Sequence, residues 1–239
     1  MGGRGEDIAV ARIVLVAARA PVAQWIEHRS PKAGVGSSSL PRRTLTGRSF
    51  GPSVAAALSA YPEFMPLSDV EPRLDSADPA EQFATYLDYY RAVVDRKLDG
   101  MTDTQTRTSL LPSGWTPLEL LTHLVHMERR WFVWGFLGEQ VANPWGDNVD
   151  DRPESPWHVP DDVGRGELIA ALHAGGERTR EILARHDLAE RGAVGGRFVV
   201  GDGTPPTLAW ICFHVLQEYA RHAGHLDVVR ELADGETGE

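Results

Sequence analysis

Two helix-opening signatures constrain this chain more than any other feature of it. In "GWTPLELLTHLVHMERRWFVWGFLG", Thr116 can accept from the backbone at Glu119 while the Glu119 side chain reaches back. Pro117 sits between them, where its missing N–H and fixed φ suit the first helical position. The spacing predicts a helix from there to about Gly138. In "DPAEQFATYLDYYRAVVDRKLDGM", Asp78, Pro79 and Glu81 repeat the pattern. Phe83, Leu87, Tyr90, Val94 and Leu98 then recur at helical spacing, and Gly100 is the expected stop. A third helix is expected over "GELIAALHAGGERTREILARHD", weakened by Gly175 and Gly176. A fourth should start after Pro206 and run to about Leu232. The expectation is an all-α four-helix bundle with two long connections. One connection, 139–164, carries Trp145 and Trp157 and is expected to cover one end of the bundle; the other, 187–204, contains a short β-like "RFVV".

The chain does not read as one piece. Its first 64 residues hold eight basic and four acidic residues, a net +4 that leaves −14 for the rest of a chain of total charge −10. This arm lacks a sustained helical or strand period, and "GVGSSSLPRRTLTGRSFGPS" has a disorder-like composition. Residues 1–64 are therefore set apart from a folded domain over 65–239. The acidic balance argues against non-specific nucleic-acid binding. One cysteine, Cys212, excludes an internal disulfide framework and fits a reducing compartment. No apolar run approaches the ~20 residues of a membrane span. "IAVARIVLVAARA" is short for a signal segment and follows an acidic "MGGRGED", so a cytoplasmic protein is expected.

The last helix poses the chemical question. In "HVLQEYARHAGHLDVV", His214, Glu218, His222 and His225 stand at i, i+4, i+8 and i+11, within about 80° on one face. Polar groups buried without partners cost about 1–3 kcal/mol each, so a metal, a hydrogen-bond network or water must satisfy them. On the second helix His123 points along the apolar stripe, with His126 offset. Two histidines and a carboxylate are the donor set of several open zinc sites and of non-haem iron sites. Spacing alone leaves the set open: Glu218 with His222, His214 with Glu218, or His222 with His225 would each fit one face.

"GWTPLELLTHLVHMERRWF" and "EYARHAGHLDVV" together resemble the DinB-like superfamily of metal-binding four-helix bundles, in particular its actinobacterial mini-circle protein branch, over roughly residues 67–239. The resemblance implies a divalent metal, zinc before nickel or iron, on His123, Glu218 and His222. Glu218 stands where many members have histidine, as it does in the related mycothiol-dependent maleylpyruvate isomerases. His225 and Arg130 are then expected to support the ligands or to touch substrate. The implied activity is that of a thiol S-transferase or isomerase using a low-molecular-weight thiol of the mycothiol type on an electrophilic small molecule. The arm carries a second resemblance: "APVAQWIEHRSPKAGVGSSSLPRRT" looks like the conceptual translation of a tRNA gene, which places the expected start at Met65. A transit-like extension or a basic interaction tail are its rival readings.

The competing class is a non-catalytic, stress-associated metal-binding bundle that acts as a homodimer. A structural zinc site usually closes with four ligands, often cysteines. Cys212 lies about 120° in helix phase from Glu218, which disfavours that version.

Overall fold

The computed structural model describes residues 70–72, 76–148, 157–201 and 203–237. The arm 1–64, and with it the expected start at Met65, lies outside the described residues. What is described is helical: α1 (Pro79–Leu98), the single turn α2 (Asp103–Thr106), α3 (Pro117–Arg129) running into a π-helical segment (Arg130–Phe136), α4 (Arg165–Arg185) and α5 (Leu208–Asp234). No strand occurs among the described residues, only isolated bridges at Asn148–Trp157, Arg191–Thr207 and Val194–Phe198.

The helix starts follow the side-chain chemistry. Asp78 accepts from Ala80 N–H, and Pro79 opens α1. Thr116 and Glu119 make both halves of the capping box at α3. Thr102 and Gln105 make another at α2, an element too short for periodicity to show. Thr207 caps α5, which ends on Gly235 at φ +79°. α4 runs unbroken through Gly175 and Gly176. Gly176 has a packing reason: a Cβ there would lie 2.9–3.0 Å from the Arg91 guanidinium.

Each of α1 and α3 packs against both α4 and α5. Leu87, Val94, Leu121, Leu124, Met127, Leu172, Val215 and Leu226 fill the space between them. One charged cluster lies within this core. Arg91 of α1 pairs with Glu128 of α3, which also accepts from Thr179 of α4 and from Tyr219 of α5 at 2.5 Å. Four helices thus meet on one carboxylate.

The second helix departs from the sequence expectation. It reaches Phe136, but as α only to Arg129. Past that point the turn widens, and Leu137 N–H donates to Phe132 O at 3.1 Å, an i→i+5 bond. The carbonyls at this end need partners from elsewhere. Ala193 N–H donates to Phe136 O at 2.8 Å and Arg197 N–H to Trp134 O at 3.0 Å. The "RFVV" stretch forms no strand: its Arg197 N–H serves the helix end, and its Phe198 carbonyl accepts from Gly195 N–H in a local turn. Gly196 is required for the approach, because a Cβ there would run into Trp134 O and lie 2.8 Å from Gly138 Cα. Gly196→Ala should destabilise the fold by about 1–3 kcal/mol, since the obstruction is backbone on both sides. Urea unfolding checks it; a loss under ~0.5 kcal/mol would show that the connection can shift freely.

Candidate metal centre

His123 lies two turns inside α3, far enough from the Thr116 cap for its backbone to be held by α-helical bonds on both sides. Glu218 and His222 are one turn apart on α5, so a single helix face presents both. All three are buried, at 7, 4 and 3 % exposure. One ligand atom from each lies within 4.8 Å of the others. Glu218 Oε2 is 3.1 Å from His222 Nε2 and 3.7 Å from His123 Nε2. Ligands of a tetrahedral zinc with bonds near 2.1 Å are about 3.4 Å apart. The donor set and its spacing thus suit a divalent ion.

The remaining candidates fall into two groups. His225 is half-buried, with Nδ1 3.3 Å from His222 Nδ1 and its ring beside Trp115. It stands behind His222, away from Glu218. Arg130 is fully buried and donates to Asp147 Oδ1 and, at 3.1 Å, to Pro144 O. His126 does not reach the cluster; it faces Arg129 at 3.0 Å. His214 stacks on Trp210 and lies 4.0 Å from Glu218 Oε1, outside the three-residue set. Beyond His214 is an open groove of about 450 Å³, walled by Trp131, Phe198, Trp210 and Arg191.

One residue of the centre escapes sequence reasoning. Asp147, in the connection after the π-helical segment, is completely buried, and its Oδ2 lies 3.1 Å from His123 Nδ1. The same connection brings Trp157 to stack on the His123 ring at 4.5 Å and against the edge of His222 at 5.2 Å. His158 N–H donates to Asp147 O at 2.6 Å, and Asn148 bridges Trp157, so the two ends of the connection hold each other. Trp145 stands over Arg130.

Charge within the cluster is set by burial against hydrogen bonding. Burial alone would raise the Glu218 pKa; the hydrogen bond from His222 and the neighbouring His123 ring outweigh it and hold the carboxyl well below the usual range. Burial pushes His222 down to about 4, leaving a neutral imidazole at neutral pH. Burial also disfavours charge on His123, but the hydrogen bond to Asp147 and the nearby Glu218 carboxylate reverse the sign and its pKa is raised. The Asp147 carboxyl is lowered: burial opposes ionisation, while His123 and Arg130 win.

The mycothiol-S-transferase family model matches residues 82–235, more than half of the chain. The chain belongs to the mycothiol-S-transferase family. That family is DinB-like, so the resemblance carried by the Thr116–His123 and Glu218–His225 stretches was sound. No curated protein matches the chain. The family match spans all three residues of the cluster as well as Asp147.

A pH dependence follows from the buried imidazoles. Burial pushes His126 as well as His222 down to about 4 and also lowers His214 and His225. An unfolded chain protonates its histidines near pH 6.5. Between pH 6.5 and 4 the unfolded state therefore binds more protons, and stability falls as pH falls. The raised pKa of His123 acts above pH 6.5, outside this window, and Asp88, raised by burial, opposes the fall only toward its acid end. The melting temperature of metal-free protein should drop steadily from pH 6.5 to pH 4, and His126→Gln should flatten the slope. A melting temperature that rises over that window would reverse the balance of these groups.

Proposed function

We propose that this chain is a metal-dependent enzyme that uses a low-molecular-weight thiol of the mycothiol type to transfer to, or isomerise, an electrophilic small molecule. The observation that carries this reading is the convergence of His123, Glu218 and His222, buried and from two helices, inside the segment matched by the family model. We read the four long helices as a DinB-like four-helix bundle domain over 65–239, with 1–64 outside it. Among the described residues no helix is long and apolar enough to cross a membrane. We place the activity in the cytoplasm, where a small thiol stays reduced.

A bound divalent ion, zinc by preference and nickel or iron as alternatives, would lower the pKa of a thiol or water placed on it. The chain's own residues supply the rest. Glu218 brings the negative charge that three neutral donors would lack. His222 enters neutral and needs to lose no proton. Trp157, stacked on His123, keeps water from that side of the ring. Cys212 is not the nucleophile: it is buried, and burial pushes its thiol up to about 12. The reacting sulfur must therefore arrive with a cosubstrate.

The second reading is a non-catalytic metal-binding protein that acts as a dimer. Trp210 and Phe213, half or more exposed on neighbouring turns of α5, favour it. The deciding experiment loads the full chain with zinc and adds mycothiol and 1-chloro-2,4-dinitrobenzene. The expected product is the mycothiol–dinitrophenyl conjugate, formed by S–C bond formation with loss of chloride and detected by mass spectrometry. Zinc-loaded dimers that neither bind mycothiol nor accelerate conjugation would transfer the conclusion to the second reading.

A further inference from the structure

The mycothiol-S-transferase match and the metal cluster leave Asp147 without an assigned role, although its geometry is among the most constrained in the molecule. Its carboxylate is completely buried. An isolated buried carboxylate is costly, so its partners must account for it. There are two. Arg130 donates to Oδ1, and the Nδ1 atom of His123 lies 3.1 Å from Oδ2. The backbone carbonyl is taken by His158 N–H. A carboxylate oxygen only accepts, so the proton shared with Oδ2 belongs to His123 Nδ1. A neutral imidazole that carries its proton on Nδ1 has its lone pair on Nε2, the atom that faces Glu218.

We propose that Asp147 is a positioning residue of the metal centre: it fixes His123 in the Nδ1–H tautomer and in the ring orientation that aims Nε2 at the ion, with Arg130 holding the carboxylate in place. The proposal rests on the metal-centre reading above. It gives the connection after α3 a defined task. Asn143, Pro144 and Gly146 shape the turn that delivers Asp147: Asn143 has φ +46°, and a Cβ on Gly146 would lie 2.8 Å from His126 Cε1. It also gives Arg130 a role that leaves it no free face for substrate, since it is committed to Asp147 and Pro144 and covered by Trp145. Arrangements in which a carboxylate holds the far nitrogen of a metal-bound histidine typically contribute 10–100-fold to metal affinity.

The test has two parts. The first uses the unaltered full chain with zinc and ¹⁵N-labelled histidine. Long-range ¹H–¹⁵N spectra should show His123 protonated at Nδ1 and zinc-bound through Nε2. The reverse assignment would overturn the proposal, and this measurement does not depend on any variant folding. The second part compares zinc affinity, by competition with a chromophoric chelator, in wild type, Asp147→Asn and Thr179→Val. Asn can offer an NH₂ to His123 and no longer neutralises Arg130, so affinity should fall about 10–100-fold. Thr179→Val loosens the core around Glu128 without touching the centre and should leave affinity within twofold. Wild type that retains no zinc overturns the metal centre itself and this proposal with it. Wild type and Asp147→Asn with equal affinity overturn the role of Asp147 alone. Equal losses in Asp147→Asn and Thr179→Val would show that Asp147 acts only through stability.

Discussion

His123→Ala, Glu218→Ala and His222→Ala are each expected to leave the protein without a bound divalent ion after gel filtration, while wild type retains about one equivalent. Each substitution removes a donor whose neighbours are already fixed at 3.1–3.7 Å by helices α3 and α5, and no other group among the described residues joins the set. His214 is 4.0 Å from Glu218 but stacked against Trp210. His225 faces the wrong nitrogen of His222. His126→Ala and His214→Ala should therefore leave metal content largely intact, and His225→Ala should weaken retention without abolishing it. Elemental analysis of untagged protein measures all six variants. Loss of metal in His214→Ala with retention in His222→Ala would mean that the ion sits one turn earlier on α5. Circular dichroism should find each alanine variant folded, because the three side chains occupy one edge of a core held mainly by leucines and valines.

The largest effect on stability is expected elsewhere. Glu128→Ala should cost about 3–5 kcal/mol, the usual result of removing one side of a buried ion pair. Arg91 is 1 % exposed and, among the described residues, would keep Asp88, at 2.7 Å, as its carboxylate partner. The hydroxyls of Tyr219 and Thr179 would lose their acceptor. Whole domains are stable by only 5–15 kcal/mol, so the melting temperature should fall by about 10 °C. The double variant Arg91→Met/Glu128→Leu should recover most of that loss, because it removes the charge along with its partner. If the double variant is as unstable as Glu128→Ala, shape rather than charge is what the cluster supplies.

How much of this was legible in the sequence depends on the range of the interaction. The helix starts at Asp78 and Thr116 were legible because a cap is written within four residues. Glu218 with His222 was legible as an i, i+4 pair, although spacing did not single it out from its neighbours. The match to His123 needed the family resemblance, since nothing local ties the helices together. Asp147 was not legible. It lies in a connection that also holds Asp150, Asp151, Asp161 and Asp162, and what marks it out are bonds to His123, 24 residues away, and Arg130, 17 residues away. The π-helical turn left no trace either, since helix phase assumes 100° per residue throughout, and the β-like reading of "RFVV" failed because its partner is a helix end.

That turn bears on how such a protein can diversify. A π-helical turn is the form a helix takes when it holds one residue more than its flanks were built for. His123 lies upstream of it, whereas Trp131, a wall of the groove beside His214, lies within it. Deleting one residue between 131 and 136 would re-aim the groove wall and shift the connection that carries Asp147, while the His123 backbone keeps its place on α3. A single-residue gap at this point in a set of relatives would therefore mark a change in what the groove admits, and such relatives should also differ in how the far nitrogen of the residue at position 123 is held.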